Sequence, residues 1–146
     1  MKGNSYLAES IDNLIRINSE RMASFDKASQ VTKDEQLKNY FEARADESEK
    51  NIQQLEALVP QSGSSLKTYG EYFLTACRMF DNAITGKKMN IIIDSARCVE
   101  KHMLEWYIKV VDGLSNTPAE FALLLQGQVE RLKNGQLQLK HLTAHN

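Results

Sequence analysis

The stretch PQSGSSLKTYGEYFLTACRMFDNAITGKKM, residues 60–89, decides how this chain is put together. Pro60 stops the helical pattern before it, and residues 61–65 (Gln-Ser-Gly-Ser-Ser) have the composition of a loop. From there Leu66, Tyr69, Phe73, Ala76, Cys77, Phe80 and Ile84 recur at three- and four-residue steps, the period of one helix face. Gly86 suits the C-terminal cap. The segment is therefore a long connection that contains a helix of its own, over about Leu66 to Ile84.

On each side of it lies a pair of longer helical patterns. The first runs from about Tyr6 to Ala28, with Leu7, Ile11, Leu14, Asn18, Met22 and Phe25 in one stripe. Thr32-Lys-Asp-Glu35 reads as a capping box opening the second, which carries Leu37, Phe41, Arg44, Ser48, Ile52, Leu55 and Val59 up to Pro60. The third, from about Asn90 to Asp112, is striped by Ile92, Ala96, Val99, Met103, Trp106 and Val110, and Gly113 ends it. Thr117-Pro-Ala-Glu120 supplies an N-cap threonine, a proline at the first helical position and a glutamate at the third. The fourth helix follows to about Leu142 on Phe121, Leu125, Gln128, Leu132, Gln136 and Leu139. The triplet Ile91-Ile92-Ile93 favours β structure locally, but it sits inside a helical period and makes no strand.

Each long helix, at about 23–27 residues, measures roughly 35–40 Å. Short connections within each pair make its helices antiparallel neighbours, and the long connection joins the two hairpins. The predicted fold is all-α: one domain over residues 1–146, a ferritin-like four-helix bundle of two antiparallel hairpins with an extra crossover helix.

Composition narrows the partners. The chain has 146 residues, with 18 Lys+Arg against 19 Asp+Glu and a formal net charge of -1, so no electrostatic footprint points to nucleic acid. No long uncharged apolar run suggests a membrane span, and residues 1–6 contain no apolar signal core. Two cysteines, Cys77 and Cys98, form no disulfide framework and suit a reducing cytoplasm.

Several residues carry a likeness to a known family. They are Asn13-Leu14-Ile15, Glu20 and Phe25-Asp-Lys-Ala28 in the first long helix, Glu47 and Leu55 in the second, and Glu100 followed by Tyr107 in the third. In these positions the chain resembles the uncharacterised bacterial ferritin-like bundle proteins grouped as domain of unknown function 2383. Arg21 and Ser24 stand where that family places glycines, and Val99 where it places the glycine before the glutamate. The resemblance implies an architecture and no activity.

A ferritin-like bundle raises the question of a di-iron site, which takes a Glu from each of two helices and a Glu-x-x-His from each of the other two. The sequence contains no Glu-x-x-His. One glutamate per long helix, Glu20, Glu47, Glu100 and Glu130, is the nearest set for iron or manganese. On a helical wheel with Leu14 at zero, Glu20 falls at about 240°, opposite its stripe, and Glu130 about 140° from Leu125. Glu47 and Glu100 fall roughly 80–100° from their stripes, on the flanks. The expectation is solvated carboxylates, no metal and no cofactor, with the four glutamates as the alternative.

The inward polar positions are Asn18, Arg44, Ser48, Asn51, Gln128 and Gln136. Each would need a hydrogen-bond partner, so they predict a mid-bundle polar layer that fixes helix register, with Arg44 paired to Glu20 or Glu100 at an edge. His102 beside Glu105 reads as a boundary residue. His141 and His145, one turn apart, have a spacing that suits a divalent metal but lie at the last residues. Cys77 and Cys98 read as small core residues, and Gly113, Gly127 and Gly135 form no phosphate loop.

The third long helix has a second apolar side, Ile93, Leu104, Ile108 and Val111, and Leu123 and Leu137 lie off the stripe of the fourth. A helix apolar around most of its circumference must be covered on more than one side. This predicts a homo-oligomer, most simply a dimer, and a non-catalytic scaffold or stress-associated interaction protein. The alternative is a ferritin-like di-metal carboxylate protein.

Overall fold

The computed structural model describes residues 2–58, 71–114 and 118–143, and among them it contains five helices and no strand. They are α1 (Lys2–Val31), α2 (Glu35–Leu58), α3 (Glu71–Gly86), α4 (Met89–Gly113) and α5 (Ala119–Thr143). The long helices are those the 3.6-residue period predicts, with α1 extended at both ends. The proposed loop at 61–65, Pro60, Leu66, Tyr69, Thr117 and His145 lie outside the described residues.

The neighbour relations follow from the buried side-chain contacts. Asn18 meets Asn51 and Arg21 meets Ser48, so α1 and α2 run antiparallel. Asn18 also meets Tyr107, and Arg21 meets Glu100, so α1 and α4 are antiparallel too. Tyr107 with Gln128, and Glu100 with Gln136, set α5 antiparallel to α4. Tyr40 with Gly135, and Asn51 with Arg131, set it antiparallel to α2. The four long helices thus form a ring in the order α1, α2, α5, α4, in which α2 and α4 are parallel and diagonal. Helix α3 lies against α1 and α4.

Two local expectations need correction. Thr32 does not cap α2: its hydroxyl donates to the Ala28 carbonyl at 2.6 Å and so closes α1. Asp34 is the cap, its Oδ1 accepting the Leu37 N–H at 3.0 Å. A carboxylate one residue before the helix satisfies the N–H of the helix's third residue directly, while the Thr32 hydroxyl joins its own N–H on the Ala28 carbonyl. At the end of α3 the left-handed residue is Lys87, at φ 58°, not Gly86; its N–H reaches the Ala83 and Ile84 carbonyls at 3.0 and 3.1 Å. A non-glycine residue held there is strained by roughly 1–2 kcal/mol.

The core has an aromatic end and a polar middle. Phe25 of α1, Phe41 of α2 and Phe80 of α3 are fully buried, with Phe25 5.7 Å from Phe41 and 5.1 Å from Phe80 between centroids. One turn along α1 the apolar filling gives way to Arg21, and a further turn to Asn18. Beyond them Leu14, Ile11, Leu55, Val110 and Leu125 resume it.

Candidate functional site

Arg21 is the largest of the fully buried side chains. It stands seven residues after Leu14 and four before Phe25, so α1 aims it down the bundle axis with the apolar stripe. Its Nε donates to Glu100 Oε2 at 2.8 Å and its Nη2 to Glu100 Oε1 at 2.6 Å, the forked arginine–carboxylate pair. Nη1 donates to Ser48 Oγ at 2.9 Å. Glu47 Oε1 lies 3.0 Å from Nη2 as an ion pair without hydrogen-bond alignment. The other oxygen, Oε2, is 3.5 Å from Arg44 Nη1. Two guanidinium groups and two carboxylates from α1, α2 and α4 therefore form a closed, formally neutral cluster.

Burial alone would push the Arg21 guanidinium down, and it is the largest influence. Glu100, by charge and hydrogen bond, and Glu47 together outweigh it, so the group is held above its ordinary value and stays charged. The apolar face of the cluster is Phe25, whose ring centroid lies 5.5 Å from the Arg21 guanidinium carbon. Arg44 is laid over Tyr40 at 5.2 Å and against Gly135, where any side chain would overlap its guanidinium. Gly135 of α5 thus leaves the room that the Arg44 guanidinium occupies, which the α5 stripe did not foretell.

The second polar layer joins the same helices. Asn18 donates to the Tyr107 hydroxyl at 2.8 Å and to the Leu14 carbonyl at 2.8 Å. Tyr107 in turn donates to Gln128 Oε1 at 2.6 Å. Asn51 donates to Asn18 Oδ1 at 3.1 Å, and Gln128 donates to Gln54 at 3.1 Å. Arg131 closes the layer from the surface, donating to Asn51 Oδ1 and Gln54 Oε1 at 3.3 and 3.2 Å. An outer cleft of about 490 Å³ between α2 and α5 is lined by Arg44, Asp46, Glu47, Lys50, Gln54 and Arg131.

Of the inward polar residues read from the sequence, Asn18, Ser48, Asn51 and Gln128 are buried in these two layers, while Arg44 and Gln136 are partly buried. Gln136 donates to the Glu100 carbonyl at 3.0 Å. The expected partner of Arg44 is corrected: it meets Glu47 on its own helix, not Glu20 or Glu100. Glu20 and Glu130 are exposed, as the wheel requires. Glu47 and Glu100 are not solvated, being 9% and 0% exposed. A flank position turns inward when a cation waits at the axis, and Arg21, passed over as a departure from glycine, is that cation. Among the described residues no group of three His, Cys, Asp or Glu side chains is placed to hold a metal ion.

Two tyrosines record the dryness of this region. Burial, then the charge of Glu100, raises Tyr40 far above its ordinary value. Burial likewise raises Tyr107, against the hydrogen bond from Asn18. Raised folded-state values stabilise the fold below the unfolded tyrosine value of about 10 and lose that contribution as pH climbs toward the folded values. Between pH 9 and 11 the urea midpoint should fall. Each tyrosine removes about 1.4 kcal/mol per pH unit once the unfolded phenol ionises. In the Tyr40→Phe, Tyr107→Phe double variant this part of the decline disappears; an unchanged slope would show that the phenols are wet.

No helix among the described residues is long and apolar enough to cross a membrane. Of the residues read from the sequence as an oligomer face, Ile93 is buried in the chain's own core, Leu104 and Val111 are partly buried, and Ile108 is exposed. No curated protein and no solved structure matches the chain. A family model does, over residues 7–113, a span that takes in α2, α3, α4 and nearly all of α1, with Arg21, Glu47 and Glu100. The match covers more than half of the chain, which therefore belongs to the family described as Domain of unknown function (DUF2383).

Proposed function

We propose that this protein is a non-catalytic, self-associating helical-bundle scaffold of a reducing bacterial cytoplasm, built on the ferritin-like plan but with an arginine in place of a metal pair. The plan is supported by the ring of antiparallel neighbours and by the parallel α2 and α4, which a long connection containing α3 must join. The observation that carries the reading is the occupied centre. Glu100 gives both oxygens to Arg21 and Glu47 gives one to Arg21 and one to Arg44. A guanidinium keeps its proton in proteins and offers no lone pair, so it neutralises carboxylates without coordinating anything.

A di-iron or di-manganese set does not fit these residues. Glu20 and Glu130 face solvent, and Glu47 and Glu100 would have to abandon Arg21 inside a dry core. One observation favours the metal alternative: Glu47 and Glu100 converge on the same nitrogen, Arg21 Nη2, at 3.0 and 2.6 Å. Elemental analysis of the full chain, purified without chelators or a polyhistidine tag, separates the two. The expected result is substoichiometric iron, manganese and zinc; one or two equivalents of any of them would overturn the scaffold reading. A stress-associated role would be exercised through the protein surfaces the scaffold gathers and not through chemistry at its centre.

A further inference from the structure

The outer side of α5 carries a pattern that the chain itself does not use. Leu123, Glu130 and Leu137 recur every seven residues and so share one face. Leu123 and Leu137 are 68% and 56% exposed. About 21 Å separates them along the helix axis. Beside Leu123 the seam between α4 and α5 opens as a groove of about 530 Å³, whose apolar walls are Ile108, Val111, Leu123 and Val129. Asp112, Glu130 and Lys133 stand on its polar edge, and Gly127 forms part of its floor. Leu137 lies beyond that groove, further along the same helix.

Resting on the self-association proposed above, we infer that two copies pair through α5, antiparallel, about a two-fold axis at Glu130. That single operation seats the second copy's Leu137 beside Leu123 in the groove, and Leu137 in the groove of the second copy. It gives two identical knobs and two identical holes, the self-complementary form that a two-fold contact requires. It also brings the second copy's Lys133 to the polar lining of that groove, where Asp112 and Glu130 offer carboxylates. The two Glu130 side chains meet near the axis with both Lys133 ammonium groups beside them; within one chain that pair is already 3.9 Å apart. Charge across the seam is thereby complementary, and the exposed leucines are covered.

The test uses the full chain carrying Cys98→Ser, so that the remaining native thiol is the buried Cys77. Burial, with Glu20 and Asp81 adding to it, pushes that thiol up to about 12, which keeps it out of disulfide exchange at neutral pH. Light scattering should give twice the chain mass. Leu137→Lys, at an exposed position that leaves helicity unchanged by circular dichroism, should weaken self-association at least about 30-fold. Glu130→Cys should form a disulfide-linked dimer under mild oxidation, because a residue on the axis meets its own copy. A monomeric mass at every concentration would overturn both this pairing and the self-association it rests on. A dimer indifferent to Leu137→Lys, and without the Glu130→Cys cross-link, would overturn the α5 pairing alone and leave self-association standing.

Discussion

Arg21→Met is expected to lower the free energy of unfolding by about 3–5 kcal/mol, because it removes the cation that serves both Glu47 and Glu100. The loss is not that of a surface ion pair. Glu100 is fully buried, and without the forked donor its carboxylate has lost both of the side-chain hydrogen bonds that satisfy it. It must then take up a proton, admit water or open the α1–α4 seam. Urea unfolding followed by circular dichroism measures the effect. Arg21→Met combined with Glu100→Met and Glu47→Leu should recover a large part of the loss, since a well-packed apolar trio can replace a buried ionic one. A single variant of unchanged stability would show that the cluster is open to water.

Phe25→Ala is expected to cost about 3–5 kcal/mol by a different route. The ring is fully buried and is the common neighbour of Phe41 and Phe80, so it joins α1 to α2 and to α3 at once. It also forms the apolar face over the Arg21 guanidinium. Truncation leaves a cavity that backbone helices cannot close, and the denaturant midpoint should fall with little change in slope. Phe25→Leu, which keeps most of the volume, should lose clearly less. If the two variants were equally stable, the aromatic cluster would be loosely filled. The two sites adjoin, so Arg21→Met and Phe25→Ala should combine non-additively, as neighbours sharing contacts do.

How far these features could be read from residues alone depends on which signal each one leaves. The helices leave a strong one: Leu14, Phe41, Val99 and Leu132 sit in stripes of the right period, and each is buried. The inward amides are legible for the same reason, since Asn18 and Gln128 interrupt otherwise apolar stripes. The ionic cluster is harder to see. Periodicity places Arg21 on the core face, seven residues from both Leu14 and Ala28, but a charged residue there reads as an exception until its partners are found. Those partners come from helices 27 and 79 residues further along the chain, by the Ser48 and Glu100 contacts, a separation on which local patterns are silent. Glu47 and Glu100 mislead for a further reason. A wheel measures direction from one helix's own stripe, and in a ring of four the second neighbour covers the flank as well. The cap at Asp34 and the left-handed Lys87 are one- or two-residue shifts, decided by which nearby group reaches an orphan donor or acceptor first.

The central cluster also bears on the order in which the molecule can be completed during synthesis. The amino-terminal hairpin leaves the ribosome carrying Arg21, Arg44, Glu47 and Ser48, one positive charge in excess among these four. Its balancing acceptor is residue 100, more than forty positions after the hairpin ends. Until Glu100 emerges, the nascent hairpin cannot dry its own centre without stranding that excess charge. Final closure of the first half therefore waits on translation of the second.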